Sequence, residues 1–383
     1  MTEDLSEDLS QKLRQLRDAG LAPPVLDSIK RRMRKLERPV NLMEVCGTHT
    51  VAISRAGLRQ ILPPGLRLLS GPGCPVCVTD QQDIDTVIEL AKEPGMVLTT
   101  FGDMMRVPGS DSALQSEKAA GRDIRVVYSP LDALKVARDL PDRTVMFYAV
   151  GFETTVPMVA ATLEMAEKQG LSNFWVFSVH KTIPAALEAL IHMEGARIDG
   201  FILPGHVSTI IGANAYKPVL QGKVPAMVTG FEPLDILRAV DLLLAQLVEG
   251  RAEVEIEYTR AVTEEGNPTA QQLMAEFFEP SDPRWRGLGI IPGSGLMLRE
   301  RHFRHDACRR YDLAAVRSRL PAPNKLMAAC SCGEVLKGAL LPGDCKLFGR
   351  ACTPAQPVGP CMVSSEGACA AYYMYERHRQ QGG

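Results

Sequence analysis

Residues 40–50 read VNLMEVCGTHT: a short, mostly apolar run breaks into Cys46, Gly47, Thr48 and His49. A run of this length bounded by a turn signal suits a buried strand. A structural cysteine would ordinarily sit inside such a run, whereas this one ends it. The same pattern recurs along the chain. LRLLS (66–70), MVLTT (96–100), IRVVYS (124–129), TVMFYAV (144–150), NFWVFSV (173–179), DGFILP (199–204) and VPAMVT (224–229) each end at Gly, Ser, Thr or Pro. Helix-patterned segments lie between them, among them 82–93, 154–169 and 232–250. Strands alternating with helices predict an α/β fold, with parallel sheets covered by helices.

Eight strands in two sets of four predict two similar parallel-sheet α/β domains, 39–140 and 141–258, or one long doubly wound sheet. The charged loop Asp139–Arg143 is the expected seam. Ahead of them, 1–38 carries leucines and charges at helical spacing, and these N-terminal helices are expected to pack on the C-terminal domain. After residue 258 the pattern weakens. The last part, 259–383, is dense in Cys, Gly and Pro and needs a staple such as a metal centre.

The chain has 383 residues, 45% hydrophobic and 23% charged, with a net charge of −2. That is globular composition without a general attraction to nucleic acid or anionic membrane. The one basic block, 30–35, reads as a solvated helix face. No apolar run reaches the length of a membrane span, and the acidic start MTEDLSEDLS is unlike a signal peptide. A cytoplasmic protein is expected, and ten cysteines there argue for metal or redox chemistry rather than disulfides.

In parallel α/β sheets, ligands gather at the carboxyl ends of strands. The reactive residues of this chain fall there. Cys46 precedes a helix start, where the dipole would favour its thiolate, and His49 is a second ligand or a proton carrier. Cys74 and Cys77 in GPGCPVC form a CxxC, read as a redox pair over half a zinc site, since no second CxxC exists. Glu153 in GFETT and His206 in PGHVST are acid–base or anchoring candidates. Asp103 in FGDMMRVPG is weaker, and His180 in SVHKT reads as a solvent-facing or helix-capping residue.

Cys330, Cys332, Cys345, Cys352, Cys361 and Cys369 crowd the tail. Cys332 to Cys369 follows Cx12Cx6Cx16C, which can hold zinc or an iron–sulfur cluster but matches neither zinc-ribbon nor ferredoxin spacing.

Taken together, MEVCGTHT (43–50), GPGCPVCVT (71–79), GFETT (151–155), LPGHVS (203–208), IPGSGL (291–296) and the block CKLFGRACTPAQPVGPCMVSSEGACAAYY (345–373) resemble the HypD family of hydrogenase maturation proteins, over about residues 38 to 376. The resemblance implies two α/β domains of similar fold and a C-terminal Cys-rich Fe–S domain. It implies a scaffold that assembles the iron centre of [NiFe]-hydrogenase, an iron carrying two cyanides and one carbon monoxide. The iron would be held between Cys46 and a cysteine of a HypC-type chaperone, with cyanide delivered by a HypE-type partner. His49, Glu153 and His206 would surround it. Cys332, Cys345, Cys352 and Cys369 would hold a [4Fe-4S] cluster, with the Cys74–Cys77 pair nearby; Cys330 and Cys361 are less certain, and Cys308 lies outside the motifs. A monomer forming transient heterocomplexes is expected. The competing reading is a free-standing cluster-dependent thiol–disulfide reductase, and a third is a zinc-stapled binding module.

Overall fold

All eight strands read from the sequence form, but they assemble differently from their order in the chain. The computed structural model describes residues 19–193, 195–322 and 325–377. The strands are β1 (Val40–Glu44), β2 (Leu66–Ser70), β3 (Met96–Thr100), β4 (Ile124–Val126), β5 (Thr144–Ala149), β6 (Phe174–Ser178), β7 (Gly200–Pro204) and β8 (Ala226–Thr229). A ninth, β9 (Val254–Ile256), escaped the sequence reading because three residues with a central glutamate carry no apolar run.

One sheet has the order β2-β1-β7-β8-β9 and the other β4-β3-β5-β6. Every pair within them is parallel. The two groups of strands expected at 39–140 and 141–258 are therefore not the two sheets. The chain starts in the first sheet, crosses after β2, completes the second, and returns at β7. The expected seam at Asp139–Arg143 lies inside one sheet, since Met96 of β3 pairs with Thr144 of β5. Local pattern identifies a strand, but its neighbour is chosen by long-range packing, which no window of sequence contains.

Central strands such as β3 and β7 are buried at every position, as expected where helices cover both faces. Over the first sheet, the helix Pro233–Glu249 buries Leu237, Val240, Leu243 and Leu244 against Leu42 and Ile202. The helix Ala22–Leu36 lies against it, burying Ile29 and Met33, and Arg32 pairs with Asp241 at 2.8 Å. The described N-terminal helix thus packs on the first sheet's helical layer, not on the Cys-rich region; residues 1–18 lie outside the described residues. The second sheet is covered by Pro130–Asp139 and Val156–Lys168.

Beyond β9 the chain keeps packing on these sheets. The helix Pro268–Phe277 lies against Val156–Lys168, and β10 (Phe278–Ser281) pairs antiparallel with β13 (Gly295–Leu298). Two short strands lie between, β11 (Arg284–Trp285) and β12 (Gly289–Ile290). The cysteine-rich end forms short helices, of which Pro360–Val363 packs on Pro75–Val78 and Ala368–Tyr375 packs on Gly47–Ala56. Arg59 seals that junction with a 2.6 Å ion pair to Glu376 and a stack on Tyr372. No helix among the described residues is long and apolar enough to cross a membrane.

Candidate functional site

The carboxyl ends of both sheets face one cleft of about 630 Å³. The first sheet supplies Cys46 after β1, Cys74 after β2 and His206 after β7. The second supplies Asp103 after β3, Tyr128 after β4 and Gly151–Phe152 after β5. Ser364 and Glu366 close the cleft from the C-terminal region.

Cys46 is the extended residue that caps the helix Gly47–Ala56. The CxxC loop lies against it: the Gly47 N–H donates to the Gly73 carbonyl at 3.0 Å. A Cβ on Gly73 would run into the backbone of Val45 and Cys46, so only glycine permits this approach. The thiolate stabilisation expected from the helix start does not prevail. Burial pushes the Cys46 thiol up to about 12, and the charges of Glu366 and Glu44 add to it; the backbone N–H groups of His49 and Thr48 oppose but do not cancel this. Glu44 lies beneath, accepting the Cys46 N–H at 3.1 Å, and burial raises its own pKa to about 7. Thr48 donates to Glu366 at 2.7 Å, tying the Cys46 helix to the C-terminal region.

His49 does not line the cleft. It is fully buried, and its Nε2–H donates to the Gly230 carbonyl at 2.9 Å, leaving Nδ1 as a lone-pair nitrogen without a partner among the described residues. Burial lowers its pKa to about 4, which keeps it neutral. His206 does reach the cleft, stacked on Phe231 at 4.0 Å, and Phe231 stacks in turn on His49 at 4.7 Å. Glu153 is turned away as well: its Oε1 accepts the Ile183 N–H at 2.9 Å, at the start of the helix Ile183–Ile191. Burial raises it to about 7. Neither His49 nor Glu153 lines the cleft. Their neighbours in the motifs, Thr48 and Phe152, do line the cleft. His180, expected at the surface or as a cap, is buried.

The Cys74 and Cys77 sulfurs lie 2.6 Å apart, within easy reach of disulfide formation. Cys74 opens onto the cleft while Cys77 points inward. Cys361 is fully buried in the same core cluster as Cys77 and Cys332, and its thiol is felt electrostatically by the first and feels the second. Beyond stands a closed apolar pocket lined by Cys330, Cys332, Cys345, Cys352 and Cys369, with Leu347, Phe348 and Met362. The four cysteines of the Cx12Cx6Cx16C run thus meet in one place, joined by Cys330, whose sulfur is 3.2 Å from that of Cys332. Cys361 is not in the wall; it bridges the pocket and the dithiol. A Cβ on Gly359 would collide with the sulfurs of Cys330 and Cys332. Five soft thiol donors gathered round one apolar pocket, with a glycine where a side chain would crowd two of the sulfurs, are the donor set that an iron–sulfur cluster takes. Thiolates of this kind are also ligands of zinc.

Cys46, Cys74, Asp103 and His206 are brought to the cleft as the strand-end rule predicts. Glu366 and Ser364 were missed. Both sit in the block read only for its cysteines, and no local pattern marks a residue that reaches a cleft formed by strands hundreds of positions earlier.

Such a molecule is a cysteine-lined α/β protein whose two sheets share one reactive cleft. The comparison with known proteins places it further: the family described as "HypD: Hydrogenase formation hypA family" matches residues 21–376. The chain belongs to the HypD family. It is similar to the hydrogenase maturation factor HypD of Azotobacter vinelandii, 50% identical over 90% of this chain and 91% of that protein. It is similar also to that of Rhizobium leguminosarum bv. viciae, 47% identical over 95% of each chain. For the HypD of Cupriavidus necator the figures are 45% identity, 96% of this chain and 97% of the relative.

Proposed function

We propose that this protein acts in hydrogenase maturation as a scaffold on which the Fe(CN)2CO centre of a [NiFe]-hydrogenase is assembled, with Cys46 holding the iron. The observation that carries this reading is the common cleft: Cys46 and Cys74 line it together, and the dithiol continues through Cys361 to the cysteine pocket. Membership of the family and the names of the relatives support the maturation role.

Iron carrying cyanide and carbon monoxide is the cargo, and a soft thiolate suits it. Free Cys46 stays protonated because its surroundings are buried and anionic. A bound cation reverses that balance, so loading releases a proton. His206 and Glu366, both in the cleft wall, would carry it to solvent. A second thiol from a HypC-type chaperone would complete the sulfur ligands of the iron, and a HypE-type partner would deliver the cyanide. Cys74 and Cys77 store two electrons as a dithiol and release them on closing to a disulfide. Cys332, Cys345, Cys352 and Cys369 would hold a [4Fe-4S] cluster, with Cys330 beside them; when bound, it supplies single electrons. Cys361 keeps the dithiol in contact with that pocket.

An infrared spectrum of the anaerobically purified protein, co-expressed with its HypC-type chaperone, tests this. Cyanide and carbonyl stretches are expected, and they are lost in Cys46→Ala. A loaded complex without those bands would remove the scaffold reading. The second reading, a free-standing thiol–disulfide reductase, draws on the 2.6 Å approach of Cys74 and Cys77. It predicts dithiol turnover without any partner, unchanged in Cys46→Ala.

A further inference from the structure

A second pocket of about 330 Å³ opens beside the carboxyl end of β6. It is lined by residues that the maturation chemistry does not use. Lys181 is 1% exposed, and its Nζ has no hydrogen-bond partner among the described residues. Burial lowers its pKa, the charges of Asp83 and Asp80 oppose that, and the Nζ stands over the face of Trp285, 5.7 Å from the ring centre. Arg317 donates through one terminal nitrogen to Asp83 at 3.0 Å, but its Nε is buried and unpartnered.

His180 completes the set. Ser178 Oγ gives its single proton to the Leu296 carbonyl at 2.8 Å. It can therefore only accept from His180 Nδ1, 3.0 Å away. That fixes the tautomer, and Nε2 is left as a bare, buried acceptor. Burial holds this imidazole neutral, its pKa lowered to about 3.

A buried polar group left without a hydrogen-bond partner destabilises the fold. Here two donors and one acceptor, on three residues lining one pocket, are left unspent. Their complement is a ligand with two acceptor oxygens and one hydroxyl. The carboxylates in the wall restrict its charge. Asp83 is engaged by Arg317, Asp80 caps the Gln82 N–H, and Asp282 accepts the Gly293 N–H. With these anions in place, a singly charged ligand suits the pocket better than a doubly charged one.

We propose that this pocket binds a small carboxylate-type anion carrying its own hydroxyl, hydrogencarbonate or a short 2-hydroxycarboxylate. Lys181 and Arg317 donate to its oxygens, and His180 accepts from its hydroxyl. The pocket is distinct from the cleft but mechanically joined to it. Trp285, which faces Lys181, stacks on Phe152 of the cleft wall and forms a bridge with Thr79, two residues after Cys77.

The test is line broadening of 13C-labelled hydrogencarbonate, glycolate and formate, each titrated separately with the full-length anaerobic protein. Saturable broadening by hydrogencarbonate or glycolate is expected, with the tighter of the two identifying the source. Binding should weaken about tenfold or more in both Lys181→Met and Arg317→Gln. Arg317 sits on the surface helix Leu313–Arg317, so its variant reports even if Lys181→Met does not fold. Formate binding as tightly as the hydroxylated anions would overturn the role given to His180. No saturable binding of any of the three, or binding unchanged in Arg317→Gln, would overturn the proposal.

Discussion

The Gly47 N–H donates to the Gly73 carbonyl at 3.0 Å, and this one bond joins the Cys46 turn to the CxxC loop. Two motifs 25 or more residues apart in sequence are thereby locked as one wall of the cleft. The same contact explains why Gly73 tolerates no side chain.

Gly73→Ala should accordingly push the CxxC loop away from Cys46. Overpacking of this kind costs about 1–3 kcal/mol. Chemical denaturation should show the loss, and a short bifunctional thiol reagent that links Cys46 to Cys74 in the parent protein should link them poorly in the variant.

Cys46 should be a sluggish nucleophile until metal binds. With its pKa at about 12, the thiolate fraction rises roughly tenfold per pH unit across pH 7–10, without a plateau. Alkylation of the metal-free protein, followed by mass spectrometry, should find Cys46 at least about tenfold slower than a small-molecule thiol at pH 8. A plateau below pH 9 would contradict the burial argument.

Glu153 should make the fold less stable as pH rises. Its folded pKa of about 7 lies above the ordinary value of 4.5, so the folded state binds the extra proton. Its favourable contribution is therefore full below about pH 4.5 and is lost by about pH 7. Glu153→Gln should flatten this part of the stability–pH profile by something on the order of 1–3 kcal/mol, read by urea denaturation at pH 5 and pH 8. Glu44, also raised to about 7, contributes a slope of the same sign that remains in the variant.

Gly359→Ala places a methyl group against the sulfurs of Cys330 and Cys332. After anaerobic reconstitution, iron and acid-labile sulfide should fall sharply relative to the parent protein. The melting of the metal-free chain should change much less. Equal iron and sulfide content in the two proteins would show that the pocket is not where the cluster is held.

Much of the site was legible because parallel α/β architecture has a rule for where chemistry falls. Cys46, Cys74 and His206 all follow apolar runs, and all three line the cleft. His49 and Glu153 obeyed the same rule and yet face inward. Position at a strand end says where a residue begins. Which way its side chain turns depends on the partner it finds, the Gly230 carbonyl for one and the Ile183 N–H for the other.

The sequence by itself determined the eight main strands, the helices between them, the polar ends of the strands, and the cysteines available for redox and cluster chemistry. These follow from short-range periodicity and side-chain chemistry, which any window of the chain contains. Only the tertiary structure decided that β1 pairs with β7 rather than staying within a continuous first domain. It also placed Glu366 over Cys46 and Cys361 between the dithiol and the cysteine pocket. It set the acidity of Cys46 as well, where the loss of water outweighs the helix start. All of these depend on which distant surfaces are buried together, and burial is a property of the packed chain, not of any segment of it.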